Sequence, residues 1–128
     1  MSKLPPFDVP GADEKDAIFL VNVVHVHDGQ QDKALEVLWD TVSYVARTYP
    51  SFRWSRLFKS SDGKTVINQA QWSSRAEFES LFQDPEFLGR YNGLKQYGSW
   101  EYHLYTVEHF IPAAPVLTTN GALPLERG

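Results

Sequence analysis

The chain has 128 residues, 12 of them basic and 16 acidic, which gives a formal net charge of -4, and it contains no cysteine. This length fits one globular domain, the acidic balance offers no basic patch for nucleic acid, and the lack of thiols excludes disulfides, iron–sulfur clusters and thiol nucleophiles. No stretch reaches the roughly 20 apolar residues of a membrane-spanning helix, and no signal-peptide pattern opens the chain, so we expect a cytoplasmic protein that does not bind a membrane.

Composition divides the chain into one domain and two flanking segments. Residues 1–16 and 112–128 contain several prolines and glycines and no apolar periodicity, which is typical of a flexible N-terminal arm and a C-terminal tail. Residues 17–111 carry the patterns of regular structure. In chain order, these patterns predict a buried strand over 17–27, a helix over 30–48, and a hairpin of strands 52–59 and 65–72. A second helix is predicted from residue 74, with a restart at Asp84-Pro85 and an end near Gly98, followed by a strand over 99–111.

Two helix starts have the form of a capping box, in which a short polar residue is followed three positions later by Glu or Gln. Asp28 with Gln31 predicts the start of the first helix, and Ser74 with Glu77 predicts the start of the second. The resulting order, β-α-β-β-α-β, is that of the α+β ferredoxin-like fold, with four antiparallel strands and both helices on one face of the sheet.

The other face of the predicted sheet is apolar. Phe19, Val21 and Val23 alternate along the first strand and therefore share this face. An apolar sheet face is unfavourable in water. A second copy of the chain, packed sheet to sheet, would cover it, so we expect a homodimer.

Neutral polar side chains interrupt the face that the helices are expected to cover. Period two places Asn22 among aliphatic residues of the first strand, and Asn68 and Trp72 on a common face of the third strand. These strands are neighbours in this topology, so the three side chains form one patch. Under the helices, the patch would give an apolar cavity with three hydrogen-bond donors, suited to a flat aromatic ligand with hydroxyl or carbonyl groups. Alternatively, the amides satisfy strand backbone groups and the indole fills the core.

The segment from Val66 to Phe78, VINQAQWSSRAEF, resembles the characteristic stretch of the antibiotic biosynthesis monooxygenases, and the element order agrees with that family. The resemblance covers residues 17–111. It implies a dimeric α/β barrel with a pocket between each sheet and its helices. It also implies a cofactor-independent enzyme, without metal, haem or flavin, that oxidises an anthrone-type or related polycyclic aromatic polyketide to a quinone with molecular oxygen.

The resemblance also assigns site residues. Asn68 and Trp72 match the amide and the indole that contact substrate oxygens in quinone-forming members, so we expect them to be catalytic, with Asn22 as a third donor. Phe78 stands where those members have a Tyr, and Arg90 lies two positions away from the place of their helix Arg. The side chains expected to bind the substrate come from the helices: Trp39, Phe78, Phe82, Arg90 and Tyr91.

Two alternatives would bring iron or another metal. Haem-degrading relatives of the same fold use a first-strand Asn, a helix Trp and a helix His that ligates iron, but Leu81 and Tyr91 occupy the last two places here. His25 and His27 share one strand face with His103 on the adjacent strand, and three imidazoles can bind zinc or iron. No carboxylate is evident beside them, and we interpret them as strand-end or dimer-interface residues and predict no metal site.

Two other functions would use the same cavity. A cofactor-free polyketide cyclase or isomerase would stabilise the same enolate without consuming oxygen, and the departure at Phe78 favours this alternative. A non-catalytic protein would only bind the small molecule. In the main hypothesis the partners are a small aromatic polyketide and O2.

Overall fold

The computed structural model of the chain describes residues 17–115. Residues 17–107 lie in one compact unit, and residues 108–115 fall outside that unit. The arm predicted over 1–16 and most of the tail predicted over 112–128 lie outside the described residues. The proposed boundaries of the domain therefore remain predictions.

Four antiparallel strands form one sheet in the order β2-β3-β1-β4. They are β1 (Ile18–Val26), β2 (Phe52–Lys59), β3 (Thr65–Trp72) and β4 (Gly98–Tyr105). On β1 and β3, the even-numbered side chains form the mainly buried face, as period two predicts. Both strands of the hairpin have the predicted bounds.

Three helices accompany the sheet: α1 (Gln31–Thr48), α2 (Arg75–Ser80) and α3 (Pro85–Tyr91). Short 3-10 turns at residues 81–83 and 92–96 follow α2 and α3. The buried residues of α1 are spaced by three and four positions and form one stripe: Ala34, Leu38, Thr41 and Val45. The α+β ferredoxin-like prediction is confirmed, with the second helical region divided in two. Within residues 17–115, no helix has both the length and the apolar character needed to cross a membrane.

Asp84 divides the second helical region. Its Oδ1 accepts hydrogen bonds from the backbone N–H groups of Glu86 at 2.9 Å and Phe87 at 3.3 Å, and Pro85 occupies the first position of α3. A residue before proline avoids helical backbone angles, whereas a side-chain acceptor followed by proline favours a new helix. The chain therefore turns at this point and starts α3.

The capping-box prediction for α1 is wrong. Gln30 precedes the helix and makes no side-chain cap. The Gln31 amide instead donates to the backbone carbonyls of Ser60 and Thr65, both at 2.9 Å, at the end of the β2–β3 hairpin. Asp28 is left exposed in the preceding turn. The hairpin carbonyls therefore determine the direction of this amide.

Two further boundaries differ from the prediction. Ser74 caps α2 by accepting from the Glu77 backbone N–H at 3.0 Å, but the Glu77 carboxylate accepts from the backbone N–H of Ser51 at 2.7 Å instead of turning back. β4 ends at Tyr105 rather than at residue 111. Tyr105 pairs with Phe19, next to the first residue of β1, so β1 provides no partner for a longer strand.

The sheet face away from the helices is partly covered within the single chain. Phe19 is only 7% exposed, and its ring lies 6.2 Å from that of Trp54. Val21 and Val23 are half-buried, and Phe58 is 43% exposed. The apolar face predicted from β1 is therefore present, although Phe19 needs no second copy for its burial.

Candidate active site

A cavity lies between the sheet and the helices, and all four strands and all three helices contribute to its lining. About 510 Å³ of space lies between the lining atoms, including the opening to solvent. The lining is mainly aliphatic and aromatic. Among the described residues that line it there is no Asp, Glu, His, Lys or Arg, and the titratable side chains are Tyr91 and Tyr102.

Most of the predicted site residues line this cavity. The strands contribute Asn22, Asn68 and Trp72, and the helical segments contribute Phe78, Phe82 and Tyr91. The structure therefore brings together the two amides, the indole and three of the five predicted substrate-binding side chains.

Trp39 and Arg90 lie outside the cavity lining, which corrects their assignment to substrate binding. Trp39 is 69% exposed, because one residue beyond buried Leu38 corresponds to about 100° of helix rotation. Arg90 Nη1 donates to both carboxylate oxygens of Asp40, at 2.8 and 2.9 Å, and its Nε donates to Glu86 at 2.8 Å. The guanidinium therefore joins α3 to α1.

The Asn68 amide is oriented by a serine on the neighbouring strand. Asn68 is buried, and its Oδ1 accepts a short hydrogen bond from Ser55 Oγ. Its Nδ2 has no partner among residues 17–115 and remains available as a donor. Ser55 was not among the predicted site residues, although the strand register indicates it. Leu57 is paired with Asn68, so Ser55, two residues before Leu57 on the same face, is a diagonal neighbour of Asn68.

The Asn22 amide contacts a phenol rather than the open cavity. Asn22 Nδ2 donates to Tyr91 Oη at 2.7 Å, while Asn22 Oδ1 is buried without a hydrogen-bond partner in the described part of the chain. Burial raises the pKa of Tyr91, so its side chain is a neutral phenol at ordinary pH. One of the two N–H donors of the Asn22 amide, which was predicted to be a third donor to the substrate, is therefore used by Tyr91.

Trp72 forms the aromatic end of the cavity. Its buried ring makes edge contacts with the rings of Tyr49, Phe52 and Phe78, at centroid distances of 6.0, 5.6 and 5.6 Å. These contacts fix the orientation of the indole. Within residues 17–115, the indole N–H has no hydrogen-bond partner, so it is a second available donor.

The donors are spread along the floor of the cavity. Asn22 is paired with Asn68 across β1 and β3, and this pair forms the polar end. Trp72 lies four residues further along β3, which corresponds to about 13 Å between the two Cα atoms at roughly 3.3 Å per residue. Leu20 and Ala70 form an apolar surface between them.

The histidines do not line the cavity. His25 Nε2 lies 4.0 Å from the Glu101 carboxylate, and both side chains are more than half exposed. A carboxylate therefore does neighbour this histidine, contrary to the sequence-based expectation. In the part of the chain that the structure describes, no three His, Cys, Asp or Glu side chains are grouped closely enough to hold a metal ion.

A sequence model of the family described as "Antibiotic biosynthesis monooxygenase" matches residues 17–89. This match spans more than half of the chain, from β1 into α3, and includes both cavity amides and the indole. The chain therefore belongs to the antibiotic biosynthesis monooxygenase family.

Individual relatives are known in sequence and in structure. Tetracenomycin-F1 monooxygenase of Streptomyces glaucescens is 34% identical over 70 residues, which are 55% of this chain and 62% of that protein, so the match spans less than two thirds of the relative. SnoaB of Streptomyces nogalater, described as a cofactor-independent oxygenase, has a TM-score of 0.68 at 26% identity and covers 76% of this chain and 98% of its own. The ActVA-Orf6 monooxygenase of Streptomyces coelicolor, solved with nanaomycin D, shares the fold with a TM-score of 0.68 at 22% identity, over 86% of this chain and all of its own.

Proposed function

We propose that this protein is a cofactor-independent monooxygenase that oxidises an anthrone-type or related polycyclic aromatic polyketide to a quinone with molecular oxygen. The observation that carries the proposal is an apolar, aromatic-lined cavity with uncharged hydrogen-bond donors at both ends. Such a cavity suits a flat polycyclic ring system with oxygen atoms on its edges.

The reaction is balanced without a reductant, because the substrate supplies all the electrons. A methylene flanked by aromatic rings and conjugated to a carbonyl loses a proton to give an enolate. The enolate passes one electron to O2, and the two radicals combine to form a C–O bond. The resulting peroxide takes up a proton and loses water, so that the methylene becomes a carbonyl and the second oxygen atom leaves as water.

The cavity donors favour the first step. Asn68 and Trp72 can donate to oxygens whose negative charge grows as the proton leaves. A fixed donor in a water-poor site stabilises such charge by about 3 kcal/mol. These contacts strengthen towards the transition state, so they accelerate the reaction rather than only tightening binding.

The size of the floor and the relatives support the same substrate class. The Cα atoms of Asn68 and Trp72 lie about 13 Å apart along β3, so a ligand that contacts both donors must extend along the floor of the cavity. Tetracenomycin-F1 monooxygenase and SnoaB carry the names of a monooxygenase and of a cofactor-independent oxygenase.

The proposal includes a homodimer with O2 as co-substrate. The half-buried Val21 and Ile67 and the exposed Phe58 line a shallow apolar groove on the sheet face away from the helices. A second copy would cover this groove with the same groove of its own. This arrangement supports the dimeric barrel that the sequence resemblance implies.

Oxygen uptake with anthrone tests the proposed function. We expect equimolar consumption of O2 and formation of anthraquinone, at a rate that is unchanged in chelator and needs no added flavin, after subtraction of the oxidation measured without protein. Product formation without oxygen uptake would identify a cyclase or isomerase. Binding without any product would identify a small-molecule binding protein. Either of these two results contradicts the proposal.

A further inference from the structure

At the polar end of the cavity, Asn22 and Tyr91 form a hydrogen bond in which the Tyr91 O–H is not the donor. Asn22 is 2% exposed, and its Nδ2 donates to Tyr91 Oη at 2.7 Å. The phenol oxygen is the acceptor in this bond, and its own O–H has no acceptor among residues 17–115. Both side chains line the cavity. The amide therefore leaves the phenol proton free to point away from β1.

The carbonyl oxygen of the Asn22 amide lowers the stability of the folded protein. Asn22 Oδ1 is buried and has no hydrogen-bond partner in the described part of the chain. Unsatisfied buried polar atoms are uncommon in folded proteins and require an explanation. An apolar side chain of similar size would avoid this unsatisfied oxygen but would leave the phenol oxygen without its donor. An amide at this position, despite its unsatisfied oxygen, is explained by the hydrogen bond that orients the Tyr91 hydroxyl.

The position of this hydroxyl relates it to Asn68. Asn22 and Asn68 are paired residues on β1 and β3, whose chains lie about 4.8 Å apart. The phenol held by Asn22 and the Nδ2 donor of Asn68 therefore belong to the same end of the cavity. Burial raises the pKa of Tyr91 by more than the hydrogen bond from Asn22 lowers it, and Tyr102 adds a smaller raising contribution, so the phenol keeps its proton.

We propose that Tyr91 is a further substrate-binding donor, whose O–H donates to a ligand oxygen beside Asn68, and that Asn22 is the positioning residue that directs this O–H into the cavity. The ligand class is a planar aromatic carbonyl compound, an enolate or a quinone, whose oxygen accepts hydrogen bonds. The inference deepens the proposed function and depends on it for the identity of the substrate. No proton transfer is required of Tyr91, which donates a hydrogen bond and keeps its proton.

Binding of anthraquinone tests the donor without turnover, because a quinone is already oxidised. Tyr91→Phe deletes the hydroxyl and keeps the ring. We expect roughly a 3- to 10-fold loss of affinity, as is typical for one neutral hydrogen bond. The carbonyl stretching band of the bound quinone should also shift less towards low frequency than in the wild type, because one donor to the oxygen is gone.

Asn22→Asp tests the positioning role. A carboxylate of the same shape accepts a hydrogen bond from the Tyr91 O–H and turns this O–H away from the cavity, so we expect a similar loss of affinity and a similar change of the carbonyl band. In a Tyr91→Phe background the same substitution should leave the band unchanged, because Asn22 acts through Tyr91. Tyr105→Phe is the matched control: this tyrosine is 47% exposed at the end of β4 and lies outside the cavity lining, so loss of its hydroxyl should leave quinone affinity unchanged.

The outcomes separate this inference from the proposed function. A Tyr91→Phe protein that melts like the wild type and binds anthraquinone with the same affinity and the same carbonyl band would overturn the inference, even where oxygen uptake supports the monooxygenase. Tyr91-dependent quinone binding without oxygen uptake would support the inference and contradict the monooxygenase. If Asn22→Asp fails to fold, Tyr91→Phe still decides the role of the donor.

Discussion

At the scale of single residues, each of the two cavity amides has one polar atom bonded to another side chain and one polar atom that is not. Asparagine carries a donor and an acceptor on one planar group, so a bond to one half orients the other. Ser55 donates to the oxygen of Asn68 and leaves the N–H donors for the cavity. Asn22 has the opposite arrangement, because its N–H is bound to Tyr91. The same residue type therefore has two different roles within one strand pair.

Deleting the two remaining strand donors should lower the rate. We expect Asn68→Ala and Trp72→Phe each to reduce anthrone oxidation roughly 10- to 1000-fold, as loss of one oxyanion donor does. Trp72→Phe keeps an aromatic ring against its three ring neighbours. Trp54→Phe is the matched control, because it deletes an indole N–H outside the cavity lining. Variants that melt normally and turn over at the parent rate would show that these two residues only fill the core.

The sequence was sufficient for the strand residues and insufficient for the helix residues of the site. A side chain on a strand points to one of only two sheet faces, and successive residues alternate between them. The spacing of Asn68 and Trp72 was therefore enough to predict that they share a face. On a helix, neighbouring residues point about 100° apart. Buried Leu38 therefore lines the cavity, whereas Trp39, the next residue, points to solvent. The bond between Asn22 and Tyr91 spans 69 positions and depends on how α3 lies over β1, which no local pattern contains.

At the scale of elements, one carboxylate joins two helices beside the cavity. Tyr44 and Tyr49, at the C-terminal end of α1, donate to Asp84 Oδ2 at 2.7 and 2.5 Å. The other oxygen of Asp84 caps α3. The helix restart at Asp84-Pro85 was predicted from the sequence, but the two tyrosine bonds are tertiary contacts that no local pattern contains. The junction fixes α3, and with it Tyr91, relative to α1.

The stability that Asp84 provides should depend on pH. The hydrogen bonds from Tyr49 and then Tyr44 lower the pKa of Asp84 below its ordinary value of 3.8. A lowered pKa in the folded state gives stability that is complete above the unfolded value and is lost as the pH falls through the folded value. We therefore expect the wild type to exceed Asp84→Asn in free energy of unfolding at pH 7 and 5, with the difference shrinking below pH 3.8.

Urea unfolding of both proteins at several pH values checks this prediction. The comparison with Asp84→Asn removes the contribution of the other carboxylates, which titrate in both proteins. Asparagine remains a good helix cap through its single oxygen, but its NH2 group cannot accept from the two tyrosines. The variant therefore loses one acceptor at every pH, and only the pH-dependent part of the difference reports the charge. A difference in unfolding free energy that stays constant from pH 7 to pH 2.5 would show that the charge of Asp84 does not strengthen the bonds from the tyrosines.

At the scale of the whole molecule, the sheet has helices on one face and an apolar groove on the other. The groove contains exposed Phe58 next to half-buried Val21 and Ile67. Exposed apolar surface that is grouped in this way is typical of an interface between proteins. The groove lies on the opposite side of the sheet from the cavity, so a partner on this face would leave the cavity lining to one chain.

The oligomeric state is the last prediction. A two-fold dimer through the outer sheet face brings each groove against its own copy, so we expect static light scattering at micromolar concentration to give about twice the chain mass of 14.6 kDa. Phe58→Lys places a cation beside Arg56, whose guanidinium lies 5.8 Å from the Phe58 ring, and sets like charges against each other across the interface, so this variant should have the mass of one chain. Trp39→Ser removes an even more exposed aromatic residue from the helical side and should leave the mass unchanged. A wild type with the mass of one chain would contradict the dimer, and a Phe58→Lys protein that keeps the doubled mass would place the interface on a different face.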